Sequence, residues 1–523
     1  MDMTYFIHRL LRIILDLIIK LLALFMPSHQ RYLPAITDRL LLEPAVNLVK
    51  RIKSGHLKSE DLINAYINRI KLIQPHVNAV ADQCYENAIK AAIEVDKRVR
   101  HELDGNSPLT GVSIHTQPLL GIPFSGKDGI SIKGMKSVCG LVARKDIVAD
   151  EDATVVTNLK AAGAIPICTT NVPELMMWWH TRNKVFGQSY NPYDKSIVTG
   201  GSTGGNGVLI SSVGSVLGIA SDIGGSTRIP AFFNGVFGHF TTPEVGVMDG
   251  HWPPFVADRL KMLSYGPMVR YASDIKPALK VFIGNDVSKL KLDETVDLSK
   301  LKVYYMYEIP DPDMTPVSNE TRRTLDDCLR HLKSLGAVTE ELKLDKFKHS
   351  FNIWFACMKT KGVPLFSEEL TNRNGRINPY IEIIKSIFGG SNHTIESLVV
   401  AAIEGNTPSD EELQKYQKMA VELTTELHQS LGDNGVLLCP THPDSYVKTN
   451  STLLCFKNVM YTGIFNCLRV CATQIPLGLG SNGVPLGIQV IAKGLNDHLT
   501  ISVAEEFERR FGGWVPPTSV HIM

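Results

Sequence analysis

The chain has 523 residues, of which 44% are hydrophobic and 20% charged, a globular balance that excludes extended disorder and leaves room for a large core. Lysine and arginine (54) nearly cancel aspartate and glutamate (53), so no global basic field points to nucleic acid, and a small or neutral partner is expected. The nine cysteines, from Cys84 to Cys471, form no C-x-x-C pair; they are expected as buried small hydrophobes, not as ligands of a structural metal.

The first predicted element runs from Tyr5 to Met26, mostly apolar and longer than the roughly 20 helical residues a bilayer needs. His8, Arg9, Arg12, Asp16 and Lys20 interrupt it. At about 100° per residue all five fall on one side of a helix. A charge at mid-bilayer costs roughly 2.5–3.5 kcal/mol on insertion scales, so the stripe favours a helix lying in the membrane interface over one that spans. Residues 1–30 are therefore expected to anchor the protein on an intracellular membrane, ahead of a single unit over 31–523. The plainer alternative is an amphipathic helix packed on its own domain.

Beyond Ser28 helix and strand patterns alternate. Leu62, Ile63, Tyr66, Ile67 and Ile70 recur at helical spacing after Ser59. Leu119 to Phe124 predicts a short buried strand leading to Lys127, Thr154 to Ala162 a helix stopped by Gly163, and Ile165 to Cys168 another strand. Val216 to Ala220 predicts a strand that delivers Ser221 and Asp222 into a glycine turn. Leu325, Cys328, Leu329, Leu332 and Leu335 mark a helix ended by Gly336; Val436 to Cys439 and Leu486 to Ala492 predict strands, and a helix follows His498. The alternation gives one α/β unit with mostly buried strands, and the more polar, helical stretch from about 270 to 430 is expected as a lobe on it.

Two glycine-flanked serines compete for the role of nucleophile. Ser202, in Gly200-Gly201-Ser202-Thr203-Gly204, satisfies the G-x-S-x-G elbow pattern, although such a run is more often a tight loop. A phosphate-cradling loop needs Lys directly after its last glycine, and none follows Gly207. Ser226 follows two glycines in DIGGS, and without Cβ atoms their N–H groups can turn toward one point, as a tetrahedral oxyanion requires. Ser226 is thus better placed than Ser202 to carry an oxyanion hole. Lys127, at a strand end in GIPFSGKD, can serve as base if burial depresses its pKa from about 10.4; a lone loop lysine is otherwise a solvated cation.

Lys127, GGSTGG and DIGGSTR in this order resemble the amidase signature family. The likeness continues through SDIGGSTRIPAFFNGVFG, NVPELMMWW, NPYD, PTHPD, IFN, ATQIPLGLG and GVPLGIQV, covering the chain from about residue 40 to its end around a signature core of about 115–245. With the anchor ahead of it, the chain is most similar to the type 2 fatty-acid amide hydrolases, the membrane-bound branch. The resemblance implies the amidase signature fold, an α/β structure with a large mixed β-sheet core flanked by helices. It implies Ser226 as acyl nucleophile, Ser202 as bridging serine and Lys127 as base, with no cofactor or metal. Backbone N–H groups of Ile223, Gly224, Gly225 and Ser226 are implied as oxyanion hole, a cis peptide before Ser202, and Met176 beside the bound acyl carbonyl. The implied partner is a lipid amide, cleaved to fatty acid plus amine or ammonia; a homodimer stays open.

The chain departs from the family pattern at Thr203, Asn206, Phe240-Thr241, Arg469 and Cys471. Three alternatives stand beside the amidase reading. One is a Ser-His-Asp hydrolase built on Ser202 with His442 and a downstream Asp. Another is the amidotransferase branch of the family, against which the anchor argues. The last is a membrane-bound lipid-amide binding protein on an amidase fold with little turnover.

Overall fold

The computed structural model describes residues 14, 32–254, 257–360 and 362–522; apart from residue 14, the expected membrane anchor lies outside the described residues. Among the described residues no helix is long and apolar enough to cross a membrane.

Each side of the core begins from the apolar runs of the sequence. The strands, in chain order, are β1 (Val80–Gln83), β2 (Pro123–Lys127), β3 (Ile165–Thr170), the small hairpin β4 (Arg182–Asn183) and β5 (Gly187–Gln188), then β6 (Leu217–Asp222), β7 (Phe237–Phe240) and β8 (Ser264–Val269). They continue with β9 (Lys302–Tyr305), β10 (Val338–Glu341), β11 (Gly435–Cys439), β12 (Val470–Leu479) and β13 (Pro485–Lys493). All but the hairpin join one 11-stranded sheet in the order β1-β3-β2-β6-β8-β7-β12-β13-β11-β9-β10. β2 runs parallel to β3 and β6, whereas the run from β6 through β8, β7, β12 and β13 to β11 is antiparallel. Every residue of β2, β6, β8 and β11 is buried. Covered on both faces, such strands carry continuous apolar or small residues without alternation.

The helices that matter below are α1 (Ser59–Val77), α2 (Thr154–Ala161), α3 (Gly204–Ser211), α4 (Arg228–Phe233), α5 (Asn319–Ser334), α6 (Ser350–Met358), α7 (Pro379–Ile387), α8 (Ile395–Gly405), α9 (Asp410–Leu431), α10 (Met460–Asn466) and α11 (Asp497–Phe511). In α1 the five residues of the predicted stripe are buried. Its free N–H groups at Ser59 and Glu60 donate to the Asp96 carboxylate at 2.6 and 3.0 Å, and Asn78 ends it in the left-handed conformation, φ 46°.

Two expectations need correction. The apolar run from Leu119 is a turn until Ile122, its N–H groups at Leu119 and Gly121 donating to Ala162 and Gly163; the strand starts at Pro123 and contains Lys127. Leu119, Leu120 and Ile122 are buried all the same, and periodicity cannot separate a buried turn from a buried strand. The stretch 270–430 is not a helical lobe alone, because β9 and β10 extend the main sheet, while α6 and α9 pack together outside it.

The parallel register of β2 with β6, Gly126 opposite Ile219, brings the two C-terminal ends together. Lys127 thereby lies beside Ser221 and Asp222. In sheets with parallel strands, ligand sites form beyond these carboxyl ends.

Candidate active site

Lys127 closes β2 with its side chain 1% exposed. Its Nζ lies 2.8 Å from Ser202 Oγ, 2.9 Å from Ser221 Oγ and 3.3 Å from the Ser221 carbonyl. Burial brings the amine down from its ordinary value to about 7, against the opposing pull of Asp222. A lysine in this state is neutral for half of its population near pH 7, which is what a base at neutral pH needs.

Ser202 sits in the loop just ahead of α3, and the Gly201–Ser202 peptide is cis. A Cβ on Gly201 would stand 2.6 Å from the Trp178 carbonyl oxygen, so only glycine lets the loop approach that strand of backbone. The Thr203 N–H donates to the Ser226 carbonyl at 3.2 Å, which ties the first serine loop to the second.

The second loop is organised by Asp222, fully buried at the end of β6. Its carboxylate accepts from Gly225 N at 2.7 Å, Thr227 N at 3.1 Å, Asn466 Nδ2 at 2.9 Å, and Arg228 Nε and one terminal nitrogen, each at 3.1 Å. Burial works against its charge, but Arg228 and these donors outweigh it and hold the carboxyl below the usual range. Arg228 in turn donates to Gln489 at 3.0 Å and Asn466 at 2.7 Å, and its guanidinium lies 4.6 Å from the Phe240 ring centroid. Of the four residues expected to supply an oxyanion hole, Gly225 thus has its N–H committed to Asp222; its φ of +112° and the Thr462 hydroxyl, 1.9 Å from where a Cβ would be, explain the glycine.

Ser226 is half-buried and opens on a cavity lined mostly by apolar side chains. Met176, Ile223, Gly224 and Gly201 share its wall, while Lys127, Ser202 and Gly225 are not on it. α6 contributes Phe351, Trp354, Phe355 and Met358, and α8 contributes Val400, Ile403 and Glu404, each set at helical spacing on one face. Trp354 Nε1 donates to the Ile223 carbonyl at 3.0 Å, so the apolar wall is fastened to the glycine turn. Arg259, Lys359 and Glu369 add a charged margin.

Sequence reasoning missed Ser221 and His251, whose Nε2 lies 3.0 Å from Ser221 Oγ. Ser221 stood in a quoted motif, but nothing in its spacing marked the hydroxyl as a neighbour of Lys127. The cavity stripe of α6 was visible as Phe351, Trp354, Phe355 and Met358, a pattern that a core helix also shows.

The Ser-His-Asp alternative does not survive. His442 is buried among Trp179, Phe232 and Phe233, its Nδ1 lies 2.7 Å from the Asp444 carbonyl, and its Nε2 has no hydrogen-bond partner among the described residues. Of the departures from the family pattern, Asn206 Nδ2 donates to the Ile219 carbonyl at 2.8 Å and Thr241 to that of Tyr265 at 2.8 Å, Phe240 lies under Arg228 and Cys471 is buried in β12, whereas Asn206 Oδ1 and Thr203 Oγ1 are buried without a hydrogen-bond partner among the described residues. Arg469, at φ 50°, lies 3.9 Å from Glu244 at the surface.

A buried amine is hydrogen-bonded to a serine beside a glycine turn, at the carboxyl ends of parallel strands. The amidase family model matches residues 61–501, and the chain belongs to that family, whose class of reaction is amide hydrolysis. It is 41% identical over 490 residues to fatty-acid amide hydrolase 2 of Homo sapiens, covering 92% of this chain and 91% of that one. It is 37% identical to fatty-acid amide hydrolase 2-A of Danio rerio, covering 98% and 97%. A solved structure of a fatty acid amide hydrolase superposes with a TM-score of 0.73 at 19% identity, covering 91% of this chain and 86% of that one, a likeness of fold.

Proposed function

We propose that the protein is a membrane-associated serine hydrolase that cleaves long-chain fatty-acid amides to fatty acid and amine or ammonia. The observation that carries this reading is the 2.8 Å contact of the Lys127 amine with the Ser202 hydroxyl, set behind a cavity whose wall includes Ser226.

In this reading neutral Lys127 takes the Ser202 proton as Ser202 takes that of Ser226, and the Ser226 Oγ–carbon bond forms at the amide carbonyl. The oxyanion is stabilised by N–H groups of the 223–226 turn. Gly225, with its N–H given to Asp222, acts there by holding the turn, leaving Ile223, Gly224 and Ser226 as donors. Collapse breaks the carbon–nitrogen bond, and the proton returns through Ser202 to the departing amine. Water then attacks the acyl ester, its proton following the same path, and Ser226 regains its own as the fatty acid leaves.

The apolar wall from α6 and α8 suits an acyl chain, and the activity for which the relatives are named supports a fatty-acid amide. Membrane association rests on the amphipathic stretch from Tyr5 to Met26 and on a second surface. α7 packs on α8, which lines the cavity, and exposes Tyr380, Ile381, Ile384, Ile387 and the following Phe388 on one face. Such a face next to the cavity wall suits a bilayer from which an alkyl substrate arrives. The test is hydrolysis of a primary amide series by the purified chain: kcat/KM is expected to rise by at least about tenfold from short soluble to long-chain amides. Equal turnover of both removes the lipid substrate, and absence of turnover in a folded chain returns the binding-protein reading.

A further inference from the structure

His251 and Ser221 stand outside the cavity wall, behind Lys127. His251 is buried; its Nε2 lies 3.0 Å from Ser221 Oγ and its Nδ1 3.1 Å from the Pro253 carbonyl oxygen. A carbonyl oxygen only accepts, so the ring proton resides on Nδ1 and Nε2 presents its lone pair. Burial, reinforced by the nearby Lys127 charge, holds the imidazole far below its ordinary pKa, at about 3, and the ring stays neutral.

Ser221 has one proton to give, and Nε2 takes it. The lone pairs of the Ser221 hydroxyl then face Lys127. A neutral amine carries two N–H groups and one lone pair. Two neighbours of Lys127 Nζ, Ser221 Oγ at 2.9 Å and the Ser221 carbonyl at 3.3 Å, are acceptors, and they take both N–H groups. The lone pair is left for the third neighbour, Ser202 Oγ at 2.8 Å.

We infer that His251 is a positioning residue: by fixing the Ser221 hydroxyl as an acceptor, it aims the Lys127 lone pair at Ser202. The inference rests on the reading of Lys127 as the base. Without His251 the Ser221 hydroxyl is free to rotate and donate to Lys127 itself, competing with Ser202 for the single lone pair.

The test is the kinetics of fluorophosphonate labelling of the full chain in detergent, separating the maximal rate from the concentration dependence. H251L is expected to lower the maximal rate roughly 10- to 100-fold, a part of the ~10²–10⁴ that a positioned base contributes, with the half-saturating concentration changed by less than about twofold. H251Q keeps an amide oxygen for Ser221 and an amide N–H for Pro253, and is expected to recover most of the rate. In an S221A background H251L is expected to add nothing, because the path runs through that hydroxyl. H251M replaces H251L if the leucine variant does not fold. A native maximal rate in H251L, a full-sized further loss in S221A, or a change confined to the half-saturating concentration overturns the inference while leaving the proposed function intact. A folded native chain that takes up no label at Ser226 overturns both.

Discussion

At the scale of single residues, the chemistry depends on the charge state of Lys127. Its folded pKa is lowered to about 7, so the neutral, proton-accepting form dominates above that pH and is lost below it. With chemistry limiting, kcat/KM is expected to fall about tenfold per pH unit below 7 and to level off above 8; a flat profile between pH 9 and pH 6 contradicts the assignment. Asp222 and Arg228 form the other decisive pair, both fully buried. R228M strands the Asp222 carboxylate and is expected to cost about 3–5 kcal/mol, measured by urea unfolding, with part recovered in D222N/R228M. A loss below about 1 kcal/mol shows that Asn466 and the backbone donors suffice.

At the scale of elements, α7 and the N-terminal stretch divide the membrane reading between them. I384E and F388E are expected to reduce sedimentation with vesicles of anionic and zwitterionic lipid without slowing Ser226 labelling, since both side chains are exposed at the surface. Unchanged sedimentation of both variants, together with that of a chain lacking residues 1–30, removes membrane attachment through either surface. The elements were legible where a pattern had one physical reading: the stripe of α1 lies in a helix that opens at Ser59, as expected, and the buried runs of β3, β6, β11 and β13 emerge within two residues of their expected limits. They were not legible where one pattern serves two structures. Leu119 to Ile122 is as apolar as a strand and folds as a turn, and β9 and β10, four residues each, are too short to stand out from the helices around them.

At the scale of the molecule, the site is assembled from segments far apart in sequence. Lys127 comes from β2, Ser202 from the loop before α3, Ser221 and Asp222 from β6, Ser226 from the turn before α4, and Asn466 and Gln489 from α10 and β13. Motifs marked the first of these because glycine and serine clusters sit where the backbone must turn sharply. Asn466, Gln489 and His251 carry no such local signature; the insertion of β12 and β13 between β7 and β11, with α10 leading into β12, brings the first two to Arg228. The central claim is that this assembly activates one serine and not the other. The most direct measurement is covalent labelling by a fluorophosphonate, with the adduct located by mass spectrometry in the native chain, S226A and S202A. The account predicts an adduct on Ser226, none in S226A, and slow labelling still at Ser226 in S202A; an adduct on Ser202, or undiminished labelling of S226A, contradicts it.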